Sequence, residues 1–349
     1  MTTTRQITYR EALSEAMAQE MRRDPSVFVY GIDVADHKRI FGSSNGLVEE
    51  FGDQRCFSTP LSEDAMTGFG LGAALTGMRP VHVHMRVDFM LLAMNQIVNM
   101  LSSHYYGSGG TTPVPMVIRA VVGRGWGQSF QHNKTLHSWL AHIPGLKVVT
   151  PSTPRDAKGM LVSAIRDDNP VIFIEHRWFY DAVGEVPEGD GAEPLNGCRV
   201  LRPGKDITIV ATSWMTVEAL QAADVLARRG ITAEVIDART IAPFDVSEVV
   251  TSVQKSGHCI VVDNDWVHCG FGAEVAAQVY DHCYGSLKSP VTRLGFVPAP
   301  CPCTRPLENA FYTGATEIIR CVEEKLGLDQ SDLSGENFFS YENKFKGPF

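Results

Sequence analysis

The chain has 349 residues, of which 44% are hydrophobic and 20% are charged, and its formal net charge is −9. This length and hydrophobic content are typical of a folded globular protein with two cores of ordinary domain size. Because the charge is acidic and no basic stripe is present, the sequence excludes the electrostatic attraction on which nucleic-acid binding depends.

The start of the chain gives no sign of export or membrane insertion. Residues 1–17 become amphipathic at once and lack a basic segment followed by an apolar one, and no apolar run is long enough to span a bilayer. The eight cysteines are scattered without the spacing of a disulfide framework, which is typical of a reducing compartment. We therefore expect a cytoplasmic protein with free thiols.

Strands and helices alternate through the first half of the chain. Apolar residues recur at helical spacing over 8–21, and the stretch 27–34 that follows Pro25 predicts a buried strand. Further strands are predicted for RPVHVHM, VPMVIRAVV, LKVVTPS and PVIFIEHR, and helices for DFMLLAMNQIVNMLSSHYY and TPRDAKGMLVSAIRDD. Strands rich in valine and isoleucine that alternate with helices predict a mostly parallel sheet covered on both faces.

The periodicity stops in the middle of the chain, where Gly, Pro, Glu and Asp dominate and predict an exposed linker. A second α/β series then begins at ITIVATS and continues through AEVIDART and HCIVVDN. The last stretch is polar with isolated aromatic residues, which is typical of a disordered tail or of an arm on a partner. The predicted regions are a first α/β domain at 1–180, a linker at 181–204, a second α/β domain at 205–328 and a tail at 329–349.

The segment STPLSEDAMTGFGLGAALTGMRP, followed after a strand by DFMLLAMNQIVN, resembles the β subunits of pyruvate, branched-chain 2-oxo acid and acetoin dehydrogenases, and more distantly the pyrimidine-binding domain of transketolase. The resemblance continues in the family's order from Tyr9 to about Leu326. It implies two three-layer α/β/α domains, a transketolase-like pyrimidine-binding domain followed by a transketolase C-terminal domain. It also implies thiamine diphosphate as the cofactor.

Glu63 is the residue to which this resemblance assigns the central chemistry. In the family, the glutamate of the TP-x-S-E segment bonds a ring nitrogen of the cofactor's aminopyrimidine, and here that glutamate is Glu63. Proton sharing favours the imino tautomer, which can take the proton from the thiazolium carbon. From its local sequence alone, Glu63 would be interpreted as a helix N-terminal carboxylate stabilised by the helix dipole, because it follows Ser62 at a strand-to-helix junction.

The resemblance implies two more cofactor contacts and one further catalytic residue. Phe89 matches the aromatic residue that stacks on the pyrimidine, although it could equally be a core residue at the start of a helix, and Met85 is expected beside it. His132, in GQSFQHNK, matches a histidine used in proton transfer or in orienting the acyl acceptor. The alternative for His132 is an exposed loop histidine.

The sequence departs from the family directly after His132. The family histidine is usually followed by Ser-Gln, whereas Asn133 and Lys134 follow here. This departure bears on the acyl acceptor, which in the family is a lipoyl group on a carrier protein. We expect Lys134 to add a positive charge at the mouth of the channel to the active site.

A potassium site known in several relatives has matching positions in this chain. These positions are Met116, Ala164, Ile165, Asp167 and Asn169. Backbone carbonyls and one carboxylate are hard oxygen ligands that suit such an ion. The alternative is an ordinary helix C-terminus stopped by Pro170.

Three other motifs predict no separate site. Gly189-Asp190-Gly191 imitates the start of the metal-diphosphate motif of thiamine enzymes, but it follows no buried strand and lacks the downstream Asn. His82 and His84 share one strand face but have no evident third metal ligand. Cys301-Pro302-Cys303 stands where relatives usually carry Thr or Ser, and we interpret it as packing.

The missing diphosphate motif implies a partner chain. By family analogy, an α subunit should hold Mg²⁺ and the diphosphate, in an assembly of two α and two β chains. The leading hypothesis is thus the β subunit of a 2-oxo acid dehydrogenase that passes its acyl unit to a lipoyl acyltransferase. The alternatives are a non-oxidative acyl or ketol transferase subunit, which Asn133 and Lys134 favour, and a non-catalytic scaffold subunit, against which Glu63, Phe89 and His132 argue.

Overall fold

The computed structural model describes residues 3–124 and 129–338. These residues fall into two compact units. The first unit contains the chain up to Val122 together with Trp139–Leu195, and the second contains Gly123–Ser138 together with the chain from Asn196 onward. The chain therefore contributes residues 123–138 to the second unit, returns to the first unit for residues 139–195, and forms the rest of the second unit from residue 196 onward.

The first unit is built of alternating strands and helices. Its strands are β1 (Thr4–Thr8), β2 (Val27–Gly31), β3 (Cys56–Ser58), β4 (Arg79–His84), β5 (Val117–Val122), β6 (Lys147–Val149), β7 (Val171–His176) and β8 (Val183–Pro187). Its helices are α1 (Tyr9–Arg23), α2 (Leu47–Phe51), α3 (Glu63–Leu75), α4 (Val87–Met90), α5 (Ser102–Gly107), α6 (His137–Ala141) and α7 (Pro154–Arg166), and the first two residues of α6 belong to the second unit.

The sheet of the first unit is parallel and runs in the order β6-β7-β5-β4-β2-β3. Every residue of β2, β5 and β7 is buried, as expected for parallel strands covered on both faces. Helix α1 packs against α7. The sequence fixes where α1 starts, because Thr8 and Glu11 form a capping box with each other's backbone amides.

Two predictions for the first unit need correction. The predicted linker contains β8, which pairs with β1 in antiparallel register from Thr4 opposite Pro187 to Thr8 opposite Val183. The predicted long helix is helical but irregular, because a 3₁₀ turn at Leu91–Ala93 and a π-helical stretch at Asn95–Leu101 separate α4 from α5.

The second unit repeats the α/β design. Its strands are β9 (Arg199–Arg202), β10 (Ile207–Ala211), β11 (Ala233–Asp237), β12 (Thr240–Ala242), β13 (Cys259–Trp266) and β14 (Thr292–Phe296). Its helices are α8 (Met215–Arg228), α9 (Ser247–Ser256), α10 (Phe271–Cys283), α11 (Arg305–Phe311) and α12 (Ala315–Lys325). Its sheet has the order β14-β13-β10-β11-β9, in which only the β9–β11 pair is antiparallel.

The described part of the predicted tail, residues 329–338, lies on the second unit. The guanidinium of Arg229 donates to the carbonyl of Asp329 over 2.9 Å and to the hydroxyl of Ser331 over 2.8 Å. None of the described helices has the length and apolar character needed to cross a membrane. All eight cysteines are free thiols.

Candidate active site

The predicted cofactor residues of the first unit lie at one edge of its sheet. Glu63 follows the carboxyl end of β3, and Met85 and Phe89 follow the carboxyl end of β4. In parallel α/β sheets the carboxyl ends of the strands form the edge where ligands bind. In the sequence, the segment that carries His132 follows β5 and belongs to the second unit.

Glu63 is the first residue of α3 and is partly buried. The helix dipole favours a carboxylate at this position. Within the described part of the chain, the Glu63 carboxylate makes no hydrogen bond or ion pair. The side chain is thus held at a helix N-terminus and keeps its acceptor oxygens available, so the helix-terminus interpretation and the cofactor interpretation are compatible.

The position of α3 is fixed by close packing on the sheet. The hydroxyl of Tyr30 donates to the carbonyl of Met66 over 2.9 Å. A Cβ atom at Gly70 would lie 2.0 Å from the Tyr30 hydroxyl oxygen and 2.7 Å from Cε of Met116. Gly70 is therefore required for the approach of helix to sheet, whereas Gly72 has open space around it. Among the glycines of GFGLG, close packing is the role of Gly70.

Met85 and Phe89 stand at the turn from β4 into α4, and both are partly buried. The turn is fixed by Arg86, whose guanidinium donates to the carbonyl of Met85 over 2.6 Å and whose own carbonyl accepts from the amide of Phe89 over 3.2 Å. A partly exposed aromatic ring and a carboxylate at one sheet edge fit a planar amino-heterocycle, since the ring can stack and the carboxylate can accept or share a proton.

His82 and His84 form a buried pair on one face of β4. Their ring centroids are 4.3 Å apart, and the ring of His82 lies 4.4 Å from that of Tyr30. Burial lowers the pKa of His84 to about 3 and, together with the neighbouring His84, holds the pKa of His82 well below its usual range. Both imidazoles are therefore neutral. No group of three or more candidate metal ligands exists among the described residues, so the pair belongs to the core.

His132 lies in the second unit, at the end of a 3₁₀ turn at Phe130–His132, and is partly buried. Trp126 and Gln128, which the sequence places in the same loop, lie outside the described residues.

The two residues after His132 have different environments. Asn133 is only 2% exposed, and its Nδ2 donates to the carbonyl of Pro302 over 2.8 Å. The Lys134 side chain is partly exposed, and its Nζ donates to the carbonyl of Phe130 over 3.2 Å. The Asn133 side chain thus points into the second unit. Of the two residues that replace the family's Ser-Gln, only Lys134 adds a charge.

A buried histidine and carboxylate lie a few residues further along. Nε2 of His137 is 2.9 Å from Oδ1 of Asp263, and both side chains are buried. Burial alone would lower the pKa of His137, but the charge and hydrogen bond of Asp263 raise it above the usual range. Burial alone would raise the pKa of Asp263, but His137 and the hydrogen bonds from Thr212 and the Gly272 amide lower it.

Ser138 makes a second connection to the same strand. Its hydroxyl donates to Oδ2 of Asp265 over 2.9 Å and accepts from the amide of Phe271, at the start of α10, over 3.0 Å. Burial raises the pKa of Asp265, to which Asp263 adds.

The predicted potassium positions gather at the end of α7, where nitrogen donors already meet several of their oxygens. The carbonyl of Met116 accepts from the amide of Val171 over 3.0 Å, and that of Ala164 from the amide of Asp167 over 3.3 Å. The guanidinium of Arg79 donates to the carbonyls of Ile165 and Asp167, over 3.0 and 3.1 Å. The Asp167 carboxylate pairs with Lys147 and accepts from the amide of Asn169 over 2.9 Å. The oxygens suit a hard cation, but the side chains of Arg79 and Lys147 already contact several of them.

Comparison with known proteins decides the family. Residues 5–181 match the transketolase pyrimidine-binding domain, and residues 197–318 match the transketolase C-terminal domain. The chain is 41% identical to the β subunit of acetoin:2,6-dichlorophenolindophenol oxidoreductase of Cupriavidus necator, over 90% of this chain and 96% of that protein. It is 38% identical to the mitochondrial pyruvate dehydrogenase E1 β subunit of Caenorhabditis elegans, over 92% and 93% of the two chains.

The chain belongs to this family of dehydrogenase β subunits. A solved split-gene transketolase, described as an inactive β4 tetramer, matches with a TM-score of 0.75 and 23% identity, over 93% of this chain and 99% of that one. That likeness supports the fold alone. The predicted fold class of two transketolase-like α/β domains is confirmed.

Sequence reasoning does not single out His137, which lies five residues after His132. A single histidine at the start of a short helix gives no local sign of its partner. Asp263 and Asp265 stand in VVDNDW, where acidic residues at the end of an apolar strand could have drawn attention.

Proposed function

We propose that this chain is the β subunit of a thiamine-diphosphate-dependent 2-oxo acid dehydrogenase that decarboxylates its substrate and transfers the acyl group. The observation that carries this proposal is the Glu63 carboxylate, which stands at the start of α3 with no hydrogen bond or ion pair among the described residues. Its relatives are named as the β subunits of acetoin:2,6-dichlorophenolindophenol oxidoreductase and of the pyruvate dehydrogenase E1 component.

The residues at the sheet edge fit the pyrimidine half of the cofactor. When bound, thiamine diphosphate supplies the carbon nucleophile and the electron sink that decarboxylation of a 2-oxo acid requires. Glu63 would hold a proton at the ring nitrogen of the aminopyrimidine, which is why a carboxyl group is needed there. Phe89 would stack on the ring, and Met85 would line its edge.

His132 would act later, where the acyl unit leaves. Imidazole is the side chain most often used for general acid–base catalysis, and that of His132 is partly buried. In this proposal it moves a proton to or from the incoming acceptor, or orients that acceptor, rather than assisting decarboxylation.

A separate α subunit would supply Mg²⁺ and the diphosphate site. The Gly189-Asp190-Gly191 motif does not offer an alternative, because the Asp190 carboxylate accepts from the guanidinium of Arg166, with Nη1 2.9 Å from Oδ2. By family analogy, two α and two β chains would assemble.

Exposed large apolar side chains on the first unit support a partner there. Leu61, just before α3, is 80% exposed, Leu92 is 64% exposed and Tyr106 is 90% exposed. Exposed apolar surface of this kind can be covered by a partner chain. A lipoyl acyltransferase as acceptor and a cytoplasmic location complete the proposal, and both rest on the sequence.

The non-oxidative alternative loses part of its support. It depended on Asn133 and Lys134 as signs of a different acceptor, but Asn133 is turned inward toward Pro302. Only Lys134 remains to favour it.

The experiment uses the chain assembled with its α subunit. Decarboxylation of pyruvate and of branched 2-oxo acids is followed with an artificial electron acceptor, in the original protein and in Glu63→Gln. We expect the variant to fold and assemble normally but to lose most turnover, because a neutral amide cannot share the proton.

Asp64→Asn is the matched control. Asp64 is the next residue of α3 and is also acidic, but its side chain is exposed, so its change removes one charge from the same helix terminus. Normal turnover in Asp64→Asn together with loss in Glu63→Gln is the expected pair of results. Full activity in Glu63→Gln would contradict the proposed function.

A further inference from the structure

The segment Ser129–Ser138, here called the His132 segment, has an exposed half and a buried half. Phe130 is 62% exposed and Gln131 is exposed as well, whereas Asn133 and the residues of 135–137 are buried. A simple display loop would be exposed along its whole length. The buried half is instead fastened to the second unit at two places, on the carboxyl side of His132.

The first anchor is Asn133, the residue directly after His132. Its side-chain amide donates to the carbonyl of Pro302 over 2.8 Å. The neighbouring Cys301 belongs to a buried cluster with Phe296, Phe311 and Tyr312. Asn133 and the 301–303 segment are both departures from the family pattern, and the structure brings them into contact. The Asn133 side chain is therefore engaged by the backbone of this segment.

The second anchor is the pair His137–Asp263, reinforced by Ser138 on Asp265. Asp263 is itself fixed, since it accepts from the hydroxyl of Thr212 over 2.9 Å and from the amide of Gly272 over 3.1 Å. Through Asp263, the imidazole of His137 therefore connects the segment to β13, to Thr212 directly after β10 and to the start of α10. A fully buried hydrogen bond of this kind has a defined geometry.

We propose that His137 and Asn133 are positioning residues that hold His132 in place for acyl transfer. This inference rests on the proposed function, because it assigns a role to His132 in that reaction. Consecutive Cα atoms are about 3.8 Å apart, so an anchor at residue 133 directly limits where the imidazole of His132 can lie. Misplacement of a catalytic group by about 1 Å can cost about 100-fold in rate.

The test compares His137→Leu with His137→Gln in the assembled protein. Leucine fills space without a hydrogen bond, whereas the side-chain amide of glutamine can reach Asp263 from nearly the position of Nε2. Two rates are measured, decarboxylation with an artificial electron acceptor and acylation of the lipoyl acceptor. We expect His137→Leu to lower kcat for acylation by at least about tenfold, with decarboxylation nearly unchanged, and His137→Gln to restore most of the loss.

A second measurement reports on the segment without relying on activity. Lys134 provides a tryptic site inside the His132 segment, and cleavage after it should be slow while the anchors hold. We expect faster cleavage there in His137→Leu and in Asn133→Ser, and no change in His142→Gln, which alters an exposed histidine outside the segment. Asn133→Ser also serves if His137→Leu does not fold.

The outcomes separate the two claims. If the original complex decarboxylates 2-oxo acids but both anchor variants acylate and resist trypsin normally, the inference is wrong and the proposed function stands. An equal fall of both rates in the variants would also overturn it, since a merely structural role affects every step. A complex with no decarboxylase activity would overturn the proposed function and the catalytic role of the anchors with it.

Discussion

The guanidinium of Arg119 and the carboxylate of Glu175 form a bidentate ion pair inside the first unit, with Nε 2.9 Å from Oε1 and Nη2 2.8 Å from Oε2. Both side chains are completely buried, and Arg119 also donates to the hydroxyl of Ser43 over 2.9 Å. The pair joins neighbouring strands β5 and β7, where Arg119 and Glu175 stand two register positions apart.

Removing one partner of this pair should be far worse than removing both. We expect Arg119→Met to lower the free energy of unfolding by about 3–5 kcal/mol, because a buried carboxylate is left without its counter-charge. The double variant Arg119→Met with Glu175→Leu should recover at least half of that loss. Urea unfolding of the three proteins checks this, and a double variant less stable than the single would contradict it.

Two glycines of α3 should respond in opposite directions to alanine. Gly70→Ala places a Cβ against the Tyr30 hydroxyl and Met116, and should destabilise the protein by about 1–3 kcal/mol through overpacking. Gly72→Ala meets nothing within 4 Å and should stabilise the helix by up to about 1 kcal/mol. Thermal unfolding distinguishes them, and equal midpoints would show that α3 does not need its close approach.

The His137–Asp263 anchor should weaken as the solution becomes alkaline. The pKa of His137 is raised above 6.5, so its contribution is complete below pH 6.5 and is lost as the pH rises through the raised value. The pKa of Asp263 is lowered below 3.8, so its contribution is present above pH 3.8 and is lost as the pH falls through the lowered value. Asp265 faces the same histidine and adds to the attraction while it is ionised.

Hydrogen exchange over 129–138, corrected for the intrinsic rate, should therefore be slowest below pH 6.5 and become faster as the pH rises through the raised pKa of His137. His137→Gln, which does not titrate, should show no such change. A pH response that persists in His137→Gln would have to come from another group.

The isolated chain should bind thiamine diphosphate weakly or not at all. The proposed contacts Glu63, Met85 and Phe89 would serve only the pyrimidine end, and in the Gly189–Gly191 motif the Asp190 carboxylate already pairs with Arg166. Calorimetry with Mg²⁺, first on the lone chain and then on the assembled protein, checks this. Tight magnesium-dependent binding to the lone chain would contradict the proposal that this chain holds only the pyrimidine half of the cofactor site.

The potassium prediction can be decided by stability. If potassium binds at the end of α7, it should raise the unfolding temperature of the assembled protein more than sodium does, and Asp167→Asn should remove the difference. If Arg79 and Lys147 take the place of the ion by contacting these oxygens, potassium and sodium should raise the unfolding temperature equally.

Much of the fold follows from the sequence because the buried parallel strands are nearly uniform apolar runs. The stretch VIRAVV of β5 and the stretch VIFIEH of β7 could be predicted as strands from composition alone. Strand β8 could not, because its residues are mixed in polarity and it is stabilised by pairing with β1 at the far end of the domain.

The candidate site also has a part that could be predicted from the sequence and a part that could not. Glu63 and the start of α3 belong to a local sequence motif, so their position was predictable. The direction of Asn133 was not, since its partner lies 169 residues away in the chain, and the partner of His137 lies 126 residues away. Local patterns carry no information about such distant partners, and the hypothesis that Asn133 favours a different acyl acceptor was made without knowledge of its partner.

The route of the chain means that the second unit is not a separable module. Its residues Gly123–Ser138 are encoded inside the first unit, before the 181–204 stretch at which a protein engineer would cut. A fragment that begins at Asn196 would carry Asp263 and Asp265 in a buried site without His137 and Ser138. In such a fragment, the carboxylates of Asp263 and Asp265 would be either exposed or buried without these partners. Truncation, domain exchange and separate expression of the second unit should therefore fail unless the fragment includes the sixteen residues of 123–138.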